Sequence, residues 1–230
     1  NAPETQYFPS GNLAKRPDSP TAEGYTFDGW FTSAGTQLTE ATAVTDSMIV
    51  TAKYTLNKII NLKRGVVAPK KVVLSWTPSA SPTAIYEVYR GTTKIATLKA
   101  GTKTYTDTKP TQGVANKYGV YVVDGTNRSA LSNVITANVC EAKATLSKAV
   151  SAKKSVKLTF KASKNAKVEI YYSTKKTSGF KKVATTAAKA KTYTVKKLTS
   201  KKTYYFKIRY ITSDKTCVSA YSAVKSAKAK

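Results

Sequence analysis

The chain has 230 residues, 41% of them hydrophobic, a formal net charge of +27, two cysteines and no histidine. No apolar run approaches the roughly 18 residues that a membrane span requires, and two distant thiols without histidine can assemble neither a zinc site nor a triad-type nucleophilic centre. Of the charge, +21 falls on Cys140 to Lys230 almost wholly as lysine, with Arg209 the one arginine there, which argues against sequence-specific nucleic-acid reading by bidentate guanidinium contacts.

The chain opens on Asn1 with no cationic-then-apolar leader and reads as a processed piece or fragment of something longer. Up to Asn57 it carries three basic and six acidic residues. This stretch holds Gly24-Tyr25-Thr26-Phe27-Asp28-Gly29-Trp30-Phe31, then a Gly-containing turn, then an apolar strand, Ala43 to Tyr54, ending in Ala52-Lys53-Tyr54. Its spacing closely resembles the Listeria–Bacteroides repeat, a small β-grasp-like module of bacterial surface proteins. The resemblance implies a loop at Gly11 to Pro17, preceded by a short first strand at Thr5 to Phe8. Tyr25 and Phe27 alternate onto one strand face, and Gly29 is read as a tight turn that carries Trp30 over it. A module of this size needs large aromatics to fill its core, which favours a packing role for them over a sugar-stacking platform.

From Lys58 to Val139 the balance is twelve basic to three acidic residues. Alternating apolar positions predict strands at Val72–Trp76, Tyr86–Arg90, Lys94–Leu98, Thr102–Thr106, Tyr118–Val123 and Leu131–Ala137. The same order returns after Cys140, at Val156–Phe160, Val168–Ser173, Phe180–Thr185, Lys191–Lys196, Tyr204–Ile211 and Val218–Ser226, so the chain contains an internal repeat. Both halves resemble fibronectin type III domains. In the last, Leu198 to Tyr204 matches the Leu-x5-Tyr corner, which implies that the Tyr204 hydroxyl bonds back to the corner's backbone. The middle half offers Trp76 and a Tyr-x-Val-x-Val strand from Tyr118, but Pro110 to Val114 contain no leucine for that corner.

The expected architecture is all-β: a β-grasp-like module at 1–57 and tandem immunoglobulin-like, fibronectin type III sandwiches at 58–139 and 140–230. The type III resemblance places the start of the last domain and its F–G loop at one pole. Cys140 and Cys217 can then form a disulfide suited to an oxidising, extracellular compartment, the alternative being two buried free thiols. Glu87 and Glu169 fall at outward positions as partners for neighbouring lysines, and nothing supplies the converging carboxylate pair of a glycosidase. No catalytic residue, metal ligand or cofactor site is read.

The candidate contacts for a polyanion are Lys157, Lys181, Lys182, Lys196, Lys197, Lys201, Lys202, Lys207 and Arg209, with Tyr171 and Tyr205 beside them; a merely solvated basic face is the other reading. The expected role is a spacer or adhesion region of a cell-surface or secreted bacterial protein that meets an anionic wall polymer, a glycan or a host surface protein. The alternative is an accessory region of a larger secreted polysaccharide-degrading enzyme.

Overall fold

A computed structural model describes residues 10–230. The strand expected at Thr5 to Phe8 lies outside them. Among the described residues there is no helix, and the strands fall into five antiparallel sheets.

Among its described residues the first unit holds one ladder, β1 (Tyr25–Thr32) against β2 (Val50–Leu56). Gly29 interrupts that ladder as a bulge and does not end the strand as the expected turn would: the register slips between Phe27 and Gly29, and β1 runs on to Thr32. At φ 138° a side chain on Gly29 would also lie 2.5 Å from the Gln37 amide, which bonds the Asp28 carbonyl. The bulge turns Trp30 inward, where its indole N–H donates to the Pro17 carbonyl and Phe27 meets it edge-on at 5.8 Å. Trp30 and Leu38 are buried, whereas Phe27 is half-buried.

The middle unit comprises β3 (Lys63–Ala68), β4 (Lys71–Ser75), β5 (Ile85–Arg90), β6 (Thr93–Leu98), β7 (Thr104–Asp107), β8 (Val114–Asp124), β9 (Asn127–Arg128) and β10 (Ile135–Val139). The order β3-β4-β7 forms one sheet and β10-β8-β5-β6 the other. The last unit repeats this with β11 (Leu146–Ala152), β12 (Ser155–Phe160), β13 (Ala166–Ser173), β14 (Lys181–Thr185), β15 (Thr192–Lys196), β16 (Thr203–Thr212) and β17 (Lys225–Lys228), ordered β11-β12-β15 and β14-β13-β16-β17. Three strands facing four, in this connectivity, is the fibronectin type III sandwich. Strand period puts Val72, Leu74, Tyr86, Val88, Tyr118, Val120 and Val122 inside one core and Val156, Leu158, Val168, Ile170, Phe206, Ile208 and Tyr210 inside the other.

Each sandwich has a first strand that the alternation did not reveal. In β3 and β11 a register slip breaks the period of two, and most positions are exposed edge positions with no apolar face to advertise. The final strands are shorter than expected, because two serines replace the ladder ahead of them. Ser129 and Ser132 donate their backbone N–H to the carbonyls of Val122 and Val120, and their hydroxyls accept from the N–H groups of the same two residues. Ser219 and Ser222 do the same to Tyr210 and Ile208. A side-chain oxygen thus stands where a strand carbonyl would be. The sequence carries this device twice, as Ser-Ala-Leu-Ser and Ser-Ala-Tyr-Ser.

The corner of the last sandwich is the expected one, and that of the middle sandwich is built differently. In the last sandwich the Tyr204 hydroxyl accepts from the Thr199 N–H at 2.9 Å, over buried Leu198. In the middle sandwich the matching pair is Pro110 and Asn116, not a residue paired with Tyr118. Asn116 faces Ala137 as Tyr204 faces Ala227, and its amide both accepts from the Thr111 N–H and donates to the Thr111 carbonyl.

Candidate functional site

Two places on the molecule concentrate polar side chains: the outward faces of the four-stranded sheets and the junctions between units. The strand phase that sends Val168 and Ile170 inward sends Glu169 and Tyr171 to the outer layer. There Glu169 accepts from Arg209 at 2.7 Å, Lys182 at 3.0 Å and the Tyr171 hydroxyl at 2.8 Å. Tyr171 stands edge-to-face with Tyr221 at 5.2 Å, and the Arg209 guanidinium lies against both rings. Lys207 sits over Phe180 at 4.3 Å and Tyr221 at 4.0 Å. Burial works against the charge of Glu169, but the donors from Arg209, Lys182 and Tyr171 outweigh it and hold the carboxyl below its ordinary range. Burial, with the hydrogen bond to Glu169, pushes the Tyr171 phenol up.

The middle sandwich builds the same cluster from different positions. Glu87 accepts from Lys94 and Arg128, each at 2.7 Å. Arg128, on β9 and not on the long strand, lies 3.7 Å above Tyr121, which meets Tyr89 edge-on at 5.3 Å. The hydrogen bond from Lys94 leads in holding Glu87 below its ordinary range. Both glutamates therefore do take lysine partners, and each also takes an arginine. Each cluster has a single carboxylate, its cations are matched or lie on rings, and the ring faces they cover are closed to a stacking sugar. This is an adhesive for the outer sheet surface.

The nine candidate polyanion contacts do not share one face. Lys157 is exposed on β12, in the three-stranded sheet. Lys181, Lys182, Lys207 and Arg209 lie on the four-stranded sheet, where Glu169 takes up Lys182 and Arg209. Lys196, Lys197, Lys201 and Lys202 gather at the corner between β15 and β16. Of the two tyrosines, Tyr171 belongs to the Glu169 cluster, while half-buried Tyr205 pairs with Ser173 and Ser226. Phe180 and Tyr221 fell within the expected strands Phe180–Thr185 and Val218–Ser226 but were not read as part of this cluster; both lie ahead of the observed strands β14 and β17.

At each junction an aspartate at the end of the longest strand, or in the turn just after it, reaches back to the preceding unit. Asp124 accepts from Ser81 at 2.6 Å, Thr83 at 2.7 Å and, from the first unit, Tyr25 at 3.0 Å. Gly24 packs so closely that a side chain there would lie 2.7 Å from the Ser81 nitrogen. Within the connecting segment Ile59 is buried and Ile60 exposed. Asp214 accepts from Arg64 and Asn138 of the middle sandwich, both at 3.1 Å, and from Thr212 and Thr216 of its own loop. Burial opposes the charge of Asp214, yet these donors hold its carboxyl far below the ordinary range; Asp124 is lowered by Ser81 and Thr83 first.

The second junction has no spare linker. β10 ends at Val139, whose carbonyl accepts from Gly113 on one side and Asn165 on the other. The next residue, Cys140, is joined by a disulfide to Cys217, with Cα atoms 5.8 Å apart. Among the described residues no cluster of three or more His, Cys, Asp or Glu side chains could hold a metal, and no helix is long and apolar enough to cross a membrane.

Comparison with known proteins sorts these units. Residues 1–57 match the model of the Listeria-Bacteroides repeat domain. The chain is 41% identical over 78 residues to Exoglucanase B of Cellulomonas fimi, an alignment covering 33% of this chain and 7% of that protein's length. Among solved structures, it is similar to a two-domain fibronectin type III segment of chicken tenascin, at 11% identity and TM-score 0.41, over 74% of this chain and 98% of that one. It is also similar to the chicken CNTN1 FN1-FN3 domains, at 10% identity and TM-score 0.37, over 81% and 74%. The strand order within each sandwich, not these overall superpositions, makes the type III assignment. The chain thus joins a unit that matches the Listeria-Bacteroides repeat domain to two sandwiches with the fibronectin type III strand order.

Proposed function

We propose that this chain is a non-catalytic, extracellular spacer that holds a working region at a distance, and that its lysine-rich last sandwich meets an anionic polymer of the bacterial surface. The observation that carries the spacer reading is the pair of closed junctions. Asp124 and Asp214 each bridge two units, which turns three beads into a stiffened rod. The disulfide suits an oxidising compartment, and the excess of lysine over acid in the last sandwich suits a polyanion.

Small-angle scattering of the whole chain tests the rod. The wild type is expected to give one narrow distribution of maximum dimension, broadened by Asp124→Ala or Asp214→Ala; a wild type as broad as the variants overturns the reading. Acid should loosen the joints as well. Both carboxyls are depressed, so their contribution is complete above the ordinary carboxylate range, near pH 4, and fades as pH falls through the depressed values. The alternative, an accessory region of a larger polysaccharide-degrading enzyme, is favoured by the identity with Exoglucanase B. Retention of the chain on insoluble cellulose, with none on bacterial walls, would decide for it.

A further inference from the structure

Among the described residues, five other than glycine have a left-handed backbone, and all five are lysines of the last sandwich: Lys154, Lys189, Lys197, Lys201 and Lys215. Left-handed φ crowds Cβ against the backbone, so glycine or asparagine is the usual occupant. In the middle sandwich the left-handed positions are all glycine, at Gly91, Gly101, Gly113 and Gly125. Lysine at such a position sacrifices backbone energy, and what it adds in exchange is a long cationic arm at a turn tip.

Three of the five lie at one pole. Lys154 is on the turn between β11 and β12; Lys197 and Lys201 are on the corner between β15 and β16. The backbone knits these turns together: Leu198 donates to the Lys154 carbonyl, Lys154 to that of Lys230, and Lys201 to that of Ala229. Lys153, Lys196 and Lys202 extend the group, and all six side chains are exposed. None of the six takes part in an ion pair among the described residues. The three acidic side chains of this sandwich are elsewhere: Glu169 is within the outer sheet face, and Glu141 and Asp214 are at the junction pole. The positive charge of the sheet face is partly cancelled, whereas that of the pole is not.

We propose that this pole, and not the sheet faces, is a docking surface for a linear surface polyanion, a polymer with a negative charge every few ångströms. The inference rests on the reading that the last sandwich meets such a polymer. Lysines act as point charges without a guanidinium fork, which suits recognition by charge density. The six residues include neither an arginine to read base edges nor an aromatic ring to stack on bases, so a wall polymer fits better than a nucleic acid.

Left-handed lysines also supply a clean test. Lys154→Gly/Lys197→Gly/Lys201→Gly removes three charges from the pole while giving each turn a residue that adopts its conformation freely. The control, Lys189→Gly/Lys215→Gly/Lys164→Gln, removes three charges from the opposite end of the sandwich. Thermal unfolding of the whole chain checks that both triples fold. Binding is measured to poly(glycerol phosphate), to the polyuronate alginate and to a single-stranded oligonucleotide, across a salt series.

The pole triple should weaken poly(glycerol phosphate) or alginate binding roughly tenfold and flatten the log–log salt slope by about two, with the control changing less than about threefold. The tighter of these two polymers identifies a phosphodiester or a carboxylate source. Equal losses in both triples overturn the pole while leaving polymer contact by the sandwich intact. A wild type that binds neither polymer at low salt overturns both. Tighter binding to the oligonucleotide than to either polymer overturns the choice of partner.

Discussion

Beneath its corner the middle sandwich buries an ionic cluster where the last sandwich is apolar. Asp107 accepts from Arg90 at 2.7 Å and from the Tyr118 hydroxyl at 2.8 Å, and its other oxygen caps the Lys109 N–H. Burial first, and then the bond to Asp107, pushes the Tyr118 phenol up. Register places Val195, Tyr172 and Phe206 at the three matching positions of the last sandwich: Asp107 faces Val72 as Val195 faces Val156, and Arg90 faces Tyr118 as Tyr172 faces Phe206. One fold therefore closes its base with a salt bridge or with aromatic packing. The two solutions differ less in net stability than in what happens when one member is removed. A buried ion pair roughly offsets its own desolvation, but half of one is costly.

The largest difference to exploit is the disulfide, which only the last sandwich has. It closes a loop of 77 residues, for which a chain-entropy argument gives about 4 kcal/mol. Cys140→Ser/Cys217→Ser should lower the unfolding free energy of the last sandwich by about that amount and leave the middle one unchanged. Amide exchange followed sandwich by sandwich reads this, and equal losses in both would mean that the two unfold as one body.

The ionic cluster comes next. Asp107→Ala strands Arg90 and the Tyr118 hydroxyl and should cost the middle sandwich about 3 kcal/mol. Replacing the set by its counterparts, Asp107→Val with Arg90→Tyr and Tyr118→Phe, should cost far less than the single change or even stabilise. If the triple is worse than the single, the two bases are not interchangeable, and the comparison fails there.

The corners give a smaller effect. Tyr204→Phe removes one hydrogen bond to the Thr199 N–H and should cost roughly 1 kcal/mol, whereas Asn116→Ala removes the acceptor and the donor that hold Thr111 and should cost up to about twice that. Denaturation midpoints separate the two.

This corner also shows how far the sequence could be read. Leu198 and Tyr204 were legible, because their spacing matches the Leu-x5-Tyr corner of the family that this half resembles. Pro110 and Asn116 were not, because an asparagine that mimics a backbone pair leaves no mark in a hydrophobic pattern. The same reason hid β3 and β11 and the serines before β10 and β17, where edge exposure or side-chain hydrogen bonds replace the alternation of buried and exposed positions. Core strands such as β8 and β16 were plain, since both faces of the pleat are written in their residues. The outer-face clusters were half legible. Glu87 and Glu169 stood out as acids in a basic chain, but Arg128 and Tyr221 reach them from turn and edge segments whose position only the fold supplies. The junction aspartates left no sequence signal beyond being acidic residues in a turn.

The smallest effect is also the most direct probe of what the lysines are for. Gly101 and Lys189 occupy the same turn: each is followed by a residue whose N–H bonds three residues back, and both have φ near 70°. Gly113 and Lys201 correspond likewise at the corner. A left-handed conformation costs a residue with Cβ about 1–2 kcal/mol, and glycine offsets part of that gain by losing more backbone entropy on folding, about 0.5–1 kcal/mol. Lys189→Gly should therefore stabilise the last sandwich by a few tenths to about 1 kcal/mol, and Gly101→Lys should destabilise the middle one by a similar amount. Opposite signs for the two swaps, read as shifts of the two unfolding transitions, would establish that the last sandwich keeps its turn lysines at a cost to stability, so their value lies outside the fold. Equal signs would show that the turns themselves differ, and the lysines would then need no partner to explain them.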